Sequence, residues 1–165
     1  MDEVAMIRDN YLKLRDSIAS WIREHLIGAA WYYQPTPLSN PAAWIVPHLI
    51  AFEQQYVYDQ IPGYPFPRGA SPEVVERYKP GVAGFAMGEK NLMSAEEALA
   101  GLARLREISD RFLSEIESGS AGTGGVERRL VFELYQHNSS HDTEHFGQLK
   151  YLSGTWSRLA AHNPT

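Results

Sequence analysis

Apolar residues recur every three to four positions along most of the chain, which is the spacing that one face of an α-helix produces. The first run begins at Val4, passes through Tyr11 and Ile18 and closes near Gly28, with charged residues between its apolar positions. No stretch shows the strict alternation that is typical of a half-buried β-strand. The pattern therefore predicts an all-α protein whose first helix is amphipathic.

A second and a third helix follow, and each has recognisable end signals. The second runs as AAWIVPHLIAFEQQYVYDQI, from Ala42 to Ile61, and the Pro-Gly pair after it ends it. The third covers residues 98–117, and Ser94 with Glu97 forms a capping box just before it. Both segments have the length and spacing of long amphipathic helices.

The fourth helix is predicted to start near Gly125 or Val126, to pass Leu152 and to end at Gly154, a residue type that often ends helices. Residues from Ser157 onward are expected to be loosely held. Four long amphipathic helices predict a four-helix bundle, in which each helix turns its apolar stripe inward.

The connection between the second and third helices is unusually long. It spans residues 62–94, whereas helix-to-helix links in bundles usually have about 2–8 residues. Within it, SPEVVERY has the cap and first-turn Pro of a short helix. We expect a crossover that lays its large apolar residues over one end of the bundle; the alternative is a long loop that merely plugs the core. The residues concerned are Tyr64, Phe66, Tyr78, Phe85 and Met87.

Composition narrows the choice of function. At 165 residues and 18.6 kDa the chain fits a single domain over residues 1–165. It has no Cys, so disulfides, thiolate metal sites and a cysteine nucleophile are excluded. The net charge of -5 and the scattered Lys and Arg residues argue against nucleic acid as a partner. The charged N-terminal stretch is not a signal peptide, and no apolar run reaches membrane-spanning length, so we expect a cytoplasmic protein without a membrane partner.

The stretch HNSSHDTEHFGQL, residues 137–149, places three histidines four residues apart on the predicted fourth helix. The helix face centred on His141 has leucines at both ends and polar residues in its middle, so we expect this polar block to lie inside the bundle. Buried polar groups must be satisfied, and a metal ion would satisfy several at once. The members of this face are Leu130, Leu134, His137, Asn138, Glu144, His145, Gln148 and Leu152.

A helix rarely supplies three ligands in good geometry, so a further ligand should come from a facing helix. His48 on the second helix projects from an apolar face beside Trp44 and is the candidate. Taken alone, His48 would be a core histidine bonded to a backbone carbonyl. Considered with His141 and His145, it predicts a site for a divalent cation.

The segments PAAWIVPHLIAFEQ and HDTEHFGQLKYLSG resemble the two motifs of the DinB/YfiT-like family of metal-dependent four-helix bundles. The resemblance implies that His48, His141 and His145 are the metal ligands, with Gly147 and Gln148 completing the second motif. It also implies an up-down-down-up helix order and frequent homodimers. One departure is Pro47, which stands where a small residue usually precedes the histidine.

Other residues near the three histidines are expected to support catalysis or metal binding. Glu144 is the candidate catalytic residue, relaying a proton or orienting a ligand imidazole; the alternative is that it pairs with a cation on the first or third helix. His137, Asn138 and Trp44 are expected to support the ligands or line a pocket. Gln148 could hydrogen-bond across to the first or second helix. A divalent ion, Zn or Ni, is the expected cofactor, although imidazole ligands also suit Cu and Fe. Three imidazoles leave a coordination position open, as in catalytic sites.

Three functions remain open from the sequence. The resemblance implies a transferase that joins a low-molecular-weight thiol to a small electrophile. An anionic thiol would need basic residues, and the crossover offers Arg68, Lys79 and Lys90. The same site could instead hydrolyse an ester or amide with metal-bound hydroxide, or bind metal or ligand without turnover. The sequence does not separate the first two.

Overall fold

The computed structural model describes residues 2–81, 92–120 and 125–162, and within them it contains helices and no strand. The prediction of an all-α protein is confirmed. No helix in the described part of the chain is both long enough and apolar enough to cross a membrane. The helices are α1 (Glu3–His25), α2 (Ala42–Tyr56), α3 (Pro72–Tyr78), α4 (Ala95–Ser118) and α5 (Arg128–His162), with 3₁₀ turns at Gly28–Tyr32 and Tyr58–Gln60.

Side-chain caps explain where several helices begin. The carboxylate of Asp2 accepts the backbone N–H of Val4 at 2.9 Å at the start of α1. Ser71 caps α3 in the same way, as its place before Pro72 predicted. The predicted capping box before α4 is confirmed, because Ser94 and Glu97 each accept from the other's backbone N–H. These local bonds satisfy donors that would otherwise lack a partner in the first turn.

The predicted end of the second helix is wrong, because α2 ends at Tyr56 and a 3₁₀ turn follows. The hydroxyl of Tyr58 donates to the buried carboxylate of Glu53 at 2.9 Å. A continued α-helix would rotate position 58 by about 140° from position 53, away from the core. The change of backbone therefore allows Tyr58 to point inward, where it is buried.

The predicted end of the fourth helix is also wrong, because α5 continues through Gly154 to His162. The last turns are therefore helical rather than loosely held. The ring of Trp156 packs 5.2 Å from the ring of Tyr33, next to the first 3₁₀ turn. A glycine inside a helix costs only about 1 kcal/mol, so this packing is enough to carry the helix past it.

Contacts between helices define their directions. Arg8 pairs with Asp110 and the later Asp16 pairs with the earlier Arg106, so α1 and α4 run in opposite directions. The helices α1 and α5 run in the same direction, as do α2 and α4. The contacts that show this are Tyr11 with Tyr135 and Trp21 with Phe146 for the first pair, and Ile50 with Gly101 and Tyr58 with Ser109 for the second.

The described part of the connection after α2 packs aromatic rings against the rest of the protein. Phe66 stacks on Tyr58 with ring centroids 4.5 Å apart, and Tyr64 meets Phe112 at 4.5 Å. Tyr78, the last residue of α3, is buried. That Tyr64, Phe66 and Tyr78 belong to a crossover over one end of a bundle stays a prediction. The other residues expected to take part, Phe85, Met87 and Lys90, lie outside the described residues.

A buried ionic network lies where α1, α2 and α5 meet. Arg15 on α1 is 1% exposed and pairs with Glu53 of α2 at 2.5 Å and with Asp142 of α5 at 2.9 Å. Both carboxylates are fully buried. Burial raises the pKa of Asp142 to about 7, although the charge of Arg15 opposes the change.

Hydroxyl groups surround the same carboxylate of Glu53. Tyr11 donates to it at 2.8 Å and Ser109 at 2.7 Å, in addition to Tyr58. Tyr135 then donates to Ser109 at 2.7 Å, which joins α4 and α5 to the network. A carboxylate with this many donors needs little from water, so the charge can remain inside the protein.

Candidate metal centre

The structure brings together the three histidines that the sequence singled out. His141 and His145 lie one turn apart on α5, so their side chains share a face, and His48 reaches them from the facing helix α2. The Nε2 atom of His141 lies 3.2 Å from the Nε2 of His48 and 3.2 Å from the Nε2 of His145. One ligand atom from each ring lies within 4.8 Å of the others. The three imidazoles therefore converge through their Nε2 atoms.

Hydrogen bonds fix the orientation of two of these rings. The Nδ1–H of His48 donates to the carbonyl oxygen of Tyr78, at the end of α3, at 2.6 Å. The Nδ1–H of His145 donates to Oε1 of Gln148 at 3.0 Å. A neutral imidazole carries one N–H, so a proton on Nδ1 leaves a lone pair on Nε2. Both rings thus present an acceptor nitrogen to the cluster.

The protonation states show why a cation fits this arrangement. His141 can carry at most one proton on Nε2, so it can donate to His48 or to His145 but not to both. At least one of the two 3.2 Å contacts must therefore join two nitrogen lone pairs, which repel each other. A positive ion between the three nitrogens would remove this conflict.

The distances also suit a metal ion. Nitrogens that bind a tetrahedral zinc ion lie about 2.0–2.1 Å from it, which places two such nitrogens about 3.3–3.4 Å apart. The observed separations of 3.2 Å are close to this value. Three protein ligands leave a fourth position for water or substrate, as in catalytic rather than structural zinc sites.

The three rings are poised to be neutral, which metal binding requires. Burial, together with the neighbouring His145 and His48, lowers the pKa of His141 to about 3. Burial also lowers the pKa of His48, although its bond to Tyr78 opposes the change. For His145, burial lowers the pKa while the bond to Gln148 and the charge of Glu144 oppose it.

Aromatic rings enclose the cluster from both sides along α2. Trp44 stacks on His48 with ring centroids 4.7 Å apart, and Phe52 stacks on His141 at 3.6 Å. Trp44 is buried, and its supporting role stays a prediction. These rings hold two of the imidazoles in place and keep water away from their faces.

The expectation that the whole polar face lies inside is wrong for His137, Glu144 and Gln148, which are exposed. The buried side of α5 is centred instead on Tyr135, Asn138, Asp142 and Leu149. His141 therefore lies at the edge of the buried stripe rather than at its middle. This position brings the histidine cluster close to solvent.

The supporting residues occupy different surroundings from those expected. Gln148 bonds within its own helix, to His145, and not across to α1 or α2. His137 lies with its ring 5.7 Å from Phe52, on the solvent side. Asn138 is fully buried, and neither its Oδ1 nor its Nδ2 has a hydrogen-bond partner. The catalytic role of Glu144 stays a prediction.

Sequence reasoning missed the buried charges next to the centre. Asp142 follows the ligand His141, and Arg15 and Glu53 complete its network. A signal for Arg15 was present, since it lies four residues after Tyr11 and so falls on the apolar stripe of α1. No comparable signal marks Asp142, because the residues around it are also polar.

Two of the basic residues suggested for binding an anionic thiol can be placed. Lys79 directly follows Tyr78, whose carbonyl holds His48, and its ammonium group pairs with Glu76 at 2.7 Å. Arg68 is exposed on the connecting segment. Lys90 lies outside the described residues. Of these two residues, Lys79 is the one that lies next to Tyr78, whose carbonyl orients His48.

Comparison with known proteins gives one match. The family model described as the DinB superfamily matches residues 13–149, a span that contains all three histidines and most of the helical part of the chain. Neither the curated proteins nor the solved structures gave a match.

Proposed function

Because the chain belongs to the DinB superfamily, we propose that it is a metal-dependent enzyme that joins a low-molecular-weight thiol to a small electrophile. His48, His141 and His145 would hold the divalent ion, with Zn or Ni as the expected metals. The observation that carries this proposal is the convergence of three Nε2 atoms, with that of His141 3.2 Å from each of the other two, a contact set that neutral imidazoles cannot satisfy among themselves. The family match supports a metal site in this place.

The helix directions support a finer description of the fold. We propose that α1, α2, α4 and α5 form an up-down-down-up four-helix bundle, and that the segment between α2 and α4 is its crossover. In this arrangement the ligands come from α2 and α5, which face each other and run in opposite directions. The crossover contributes the Tyr78 carbonyl that orients His48.

A divalent ion held by His48, His141 and His145 would supply Lewis-acid chemistry that lowers the pKa of the substrate thiol. The thiol sulfur forms a bond to the electrophilic carbon, the leaving group departs with the bonding electrons, and the thiol proton passes to solvent. The chain's own contribution is to hold the ion with fixed imidazoles and to shield them with Trp44 and Phe52. Lys79 is the candidate for holding a negative charge on the thiol.

Turnover assays with defined thiols test this function. Zinc- or nickel-loaded protein is incubated with a model alkyl halide, with and without a panel of thiols, and the chelator-treated protein serves as the control. We expect loss of the electrophile that requires both metal and thiol. Thiol-independent hydrolysis of an ester or amide would indicate a hydrolase, and metal-dependent thermal stabilisation without any turnover would indicate a binding module.

Gln148 is proposed to support metal binding through His145. Replacing it by leucine removes the acceptor for Nδ1–H, so we expect a metal affinity about 10–100 times lower, the usual effect of losing such a partner. Competition with a chromogenic chelator measures the change. The matched control is Gln136→Leu, another exposed glutamine on α5, for which we expect the wild-type affinity. Equal affinities for the two variants would refute the role of Gln148.

Asn138 is proposed to support His141, the third of the proposed metal ligands. When Nε2 of His141 binds metal, its proton must be on Nδ1, and this buried nitrogen has no acceptor. Asn138 lies three residues earlier on α5, and its own amide atoms are buried without partners. Leaving such groups unpaired costs about 1–3 kcal/mol each. A bond between them, direct or through one buried water, would satisfy both.

The pair Asn138→Asp and Asn138→Leu tests this contact. The aspartate keeps an acceptor, so we expect affinity for metal to fall much less than with leucine, which should lower it about 10–100-fold. Ser139→Ala is the control. The hydroxyl of Ser139 is also buried without a partner, but Ser139 lines a different groove, beside Met6 and Phe132, so we expect the wild-type affinity for metal. In wild-type protein, ¹⁵N NMR should also detect a hydrogen-bonded Nδ1–H at His141. Equal affinities for the aspartate and leucine variants, with no such signal, would exclude the contact.

A further inference from the structure

A pocket lies beside the three histidines, between α2, α5 and the loop before α2. Its volume is about 260 Å³, slightly below the range of about 300–1,000 Å³ typical of drug-sized ligands. Ile45 and Leu152 form its buried floor, and Leu38 and Tyr151 form its exposed rim. The pocket therefore offers a small apolar surface that is open to solvent at one end.

The pocket is joined to the metal centre through Gln148, which lines its wall. The Oε1 atom of this residue accepts the Nδ1–H of His145 at 3.0 Å. On the other side, Ile45 lies three residues before His48 on α2. Both helices thus place a pocket residue about one turn, or 5.4 Å along the axis, from a histidine of the cluster. The pocket therefore lies next to the histidine cluster.

The absence of charged residues among the described pocket lining favours a neutral ligand. The described residues that line it are all uncharged, with hydroxyl and amide groups from Ser39, Asn40 and Gln148 beside the apolar surface. An anion placed here would lose hydration without gaining an opposite charge, whereas a neutral group with an amide or carbonyl would keep its hydrogen bonds. The cation Lys79 instead belongs to the crossover, next to the carbonyl that orients His48.

We infer that this pocket binds the electrophilic substrate and that this substrate is a neutral molecule with a compact apolar body and a hydrogen-bonding group. The inference rests on the proposed function, because it assigns the two substrates to different sides of the ion. The uncharged pocket receives the electrophile. The anionic thiol approaches from the crossover.

Binding of two unreactive probes tests the inference without turnover. The probes are 4-methylbenzamide, which is neutral, and 4-methylbenzenesulfonate, which is similar in size, anionic and a weak ligand for metals. Zinc-loaded protein is titrated with each, and the methyl NMR signals of Ile45 and Leu152 report occupancy. We expect the amide to shift both signals and to bind at least about ten times more tightly than the sulfonate.

A charge introduced at the rim should reverse this preference. Tyr151→Arg places a cation on the exposed edge of the pocket, so we expect the sulfonate to bind as tightly as the amide or more tightly. The control is Leu159→Arg, an exposed position further along α5 that does not line the pocket, for which we expect the wild-type preference. Both variants should keep the wild-type affinity for zinc.

The outcomes separate this inference from the proposed function. If wild-type protein binds zinc but neither probe shifts the Ile45 and Leu152 signals, or both probes bind equally, the pocket assignment is wrong while the metal centre stands. The same conclusion follows if the two arginine variants behave alike. If the protein binds the amide but no zinc, the proposed function fails and the pocket loses its role as a substrate site.

Discussion

Replacing Arg15 by methionine should lower the free energy of unfolding by about 3–5 kcal/mol. Arg15 is the shared partner of Glu53 and Asp142, and all three side chains are almost completely buried. Its removal would leave two carboxylates without their cation in the protein interior. The negative charge on Asp142 would then be disfavoured further, because Arg15 is the group that opposes the effect of burial on its pKa. Urea denaturation followed by circular dichroism measures the change.

The matched control is Arg106→Met, which removes another arginine from an ion pair between helices. Arg106 pairs with Asp16 at 2.7 Å, but the two side chains are 33% and 59% exposed to solvent. Pairs of this kind contribute about 0–1 kcal/mol, so we expect a correspondingly small loss of stability. If the Arg15 variant were no less stable than the Arg106 variant, the buried network would not be the feature that holds α1, α2 and α5 together.

Replacing His141 by alanine should lower the affinity for zinc by a factor on the order of 100 or more. Structural zinc sites with four ligands bind with about 10–16 kcal/mol, or roughly 3 kcal/mol for each ligand, and 1.4 kcal/mol corresponds to a factor of ten. His141 is the most consequential of the three, because its Nε2 lies 3.2 Å from the Nε2 of both His48 and His145. Chelator competition on the purified variant measures the loss.

His137→Ala is the control for this prediction. His137 lies one turn before His141 on α5, but it is exposed, and its ring faces Phe52 and Tyr56. We expect its removal to change zinc affinity by less than about tenfold, below the effect of losing a direct ligand. Full zinc affinity in the His141 variant, or equal losses in the two variants, would argue against the assignment of ligands.

Helix starts were more predictable than helix ends because local side chains determine them. The capping box of Ser94 and Glu97 and the cap at Ser71 act on backbone groups within three residues, so the sequence contains their partners. The ends of α2 and α5 depend on distant contacts. Tyr58 turns inward to reach Glu53, and the rings of Trp156 and Tyr33 pack together from opposite ends of the chain. No local pattern contains this information.

The metal centre was accessible to sequence reasoning for a similar reason. The spacing of His141 and His145 places them on one helix face, and the need for a further ligand from a facing helix pointed to His48, which the family resemblance also implies. The orientation of that face was less predictable. Hydrophobicity is the signal that identifies the buried side of a helix, but the buried side of α5 includes the polar residues Asn138 and Asp142. The prediction therefore placed the centre of the buried face at His141 instead.

X-ray absorption spectroscopy of the zinc-loaded wild-type protein tests the central claim most directly, because it reports which atoms surround the ion. We expect one zinc ion per chain, with three imidazole nitrogens at about 2.0–2.1 Å and one further light-atom ligand. A first shell made only of oxygen atoms, or imidazole scattering that persists unchanged when His48, His141 and His145 are all replaced by alanine, would contradict the claim that these three residues hold the metal.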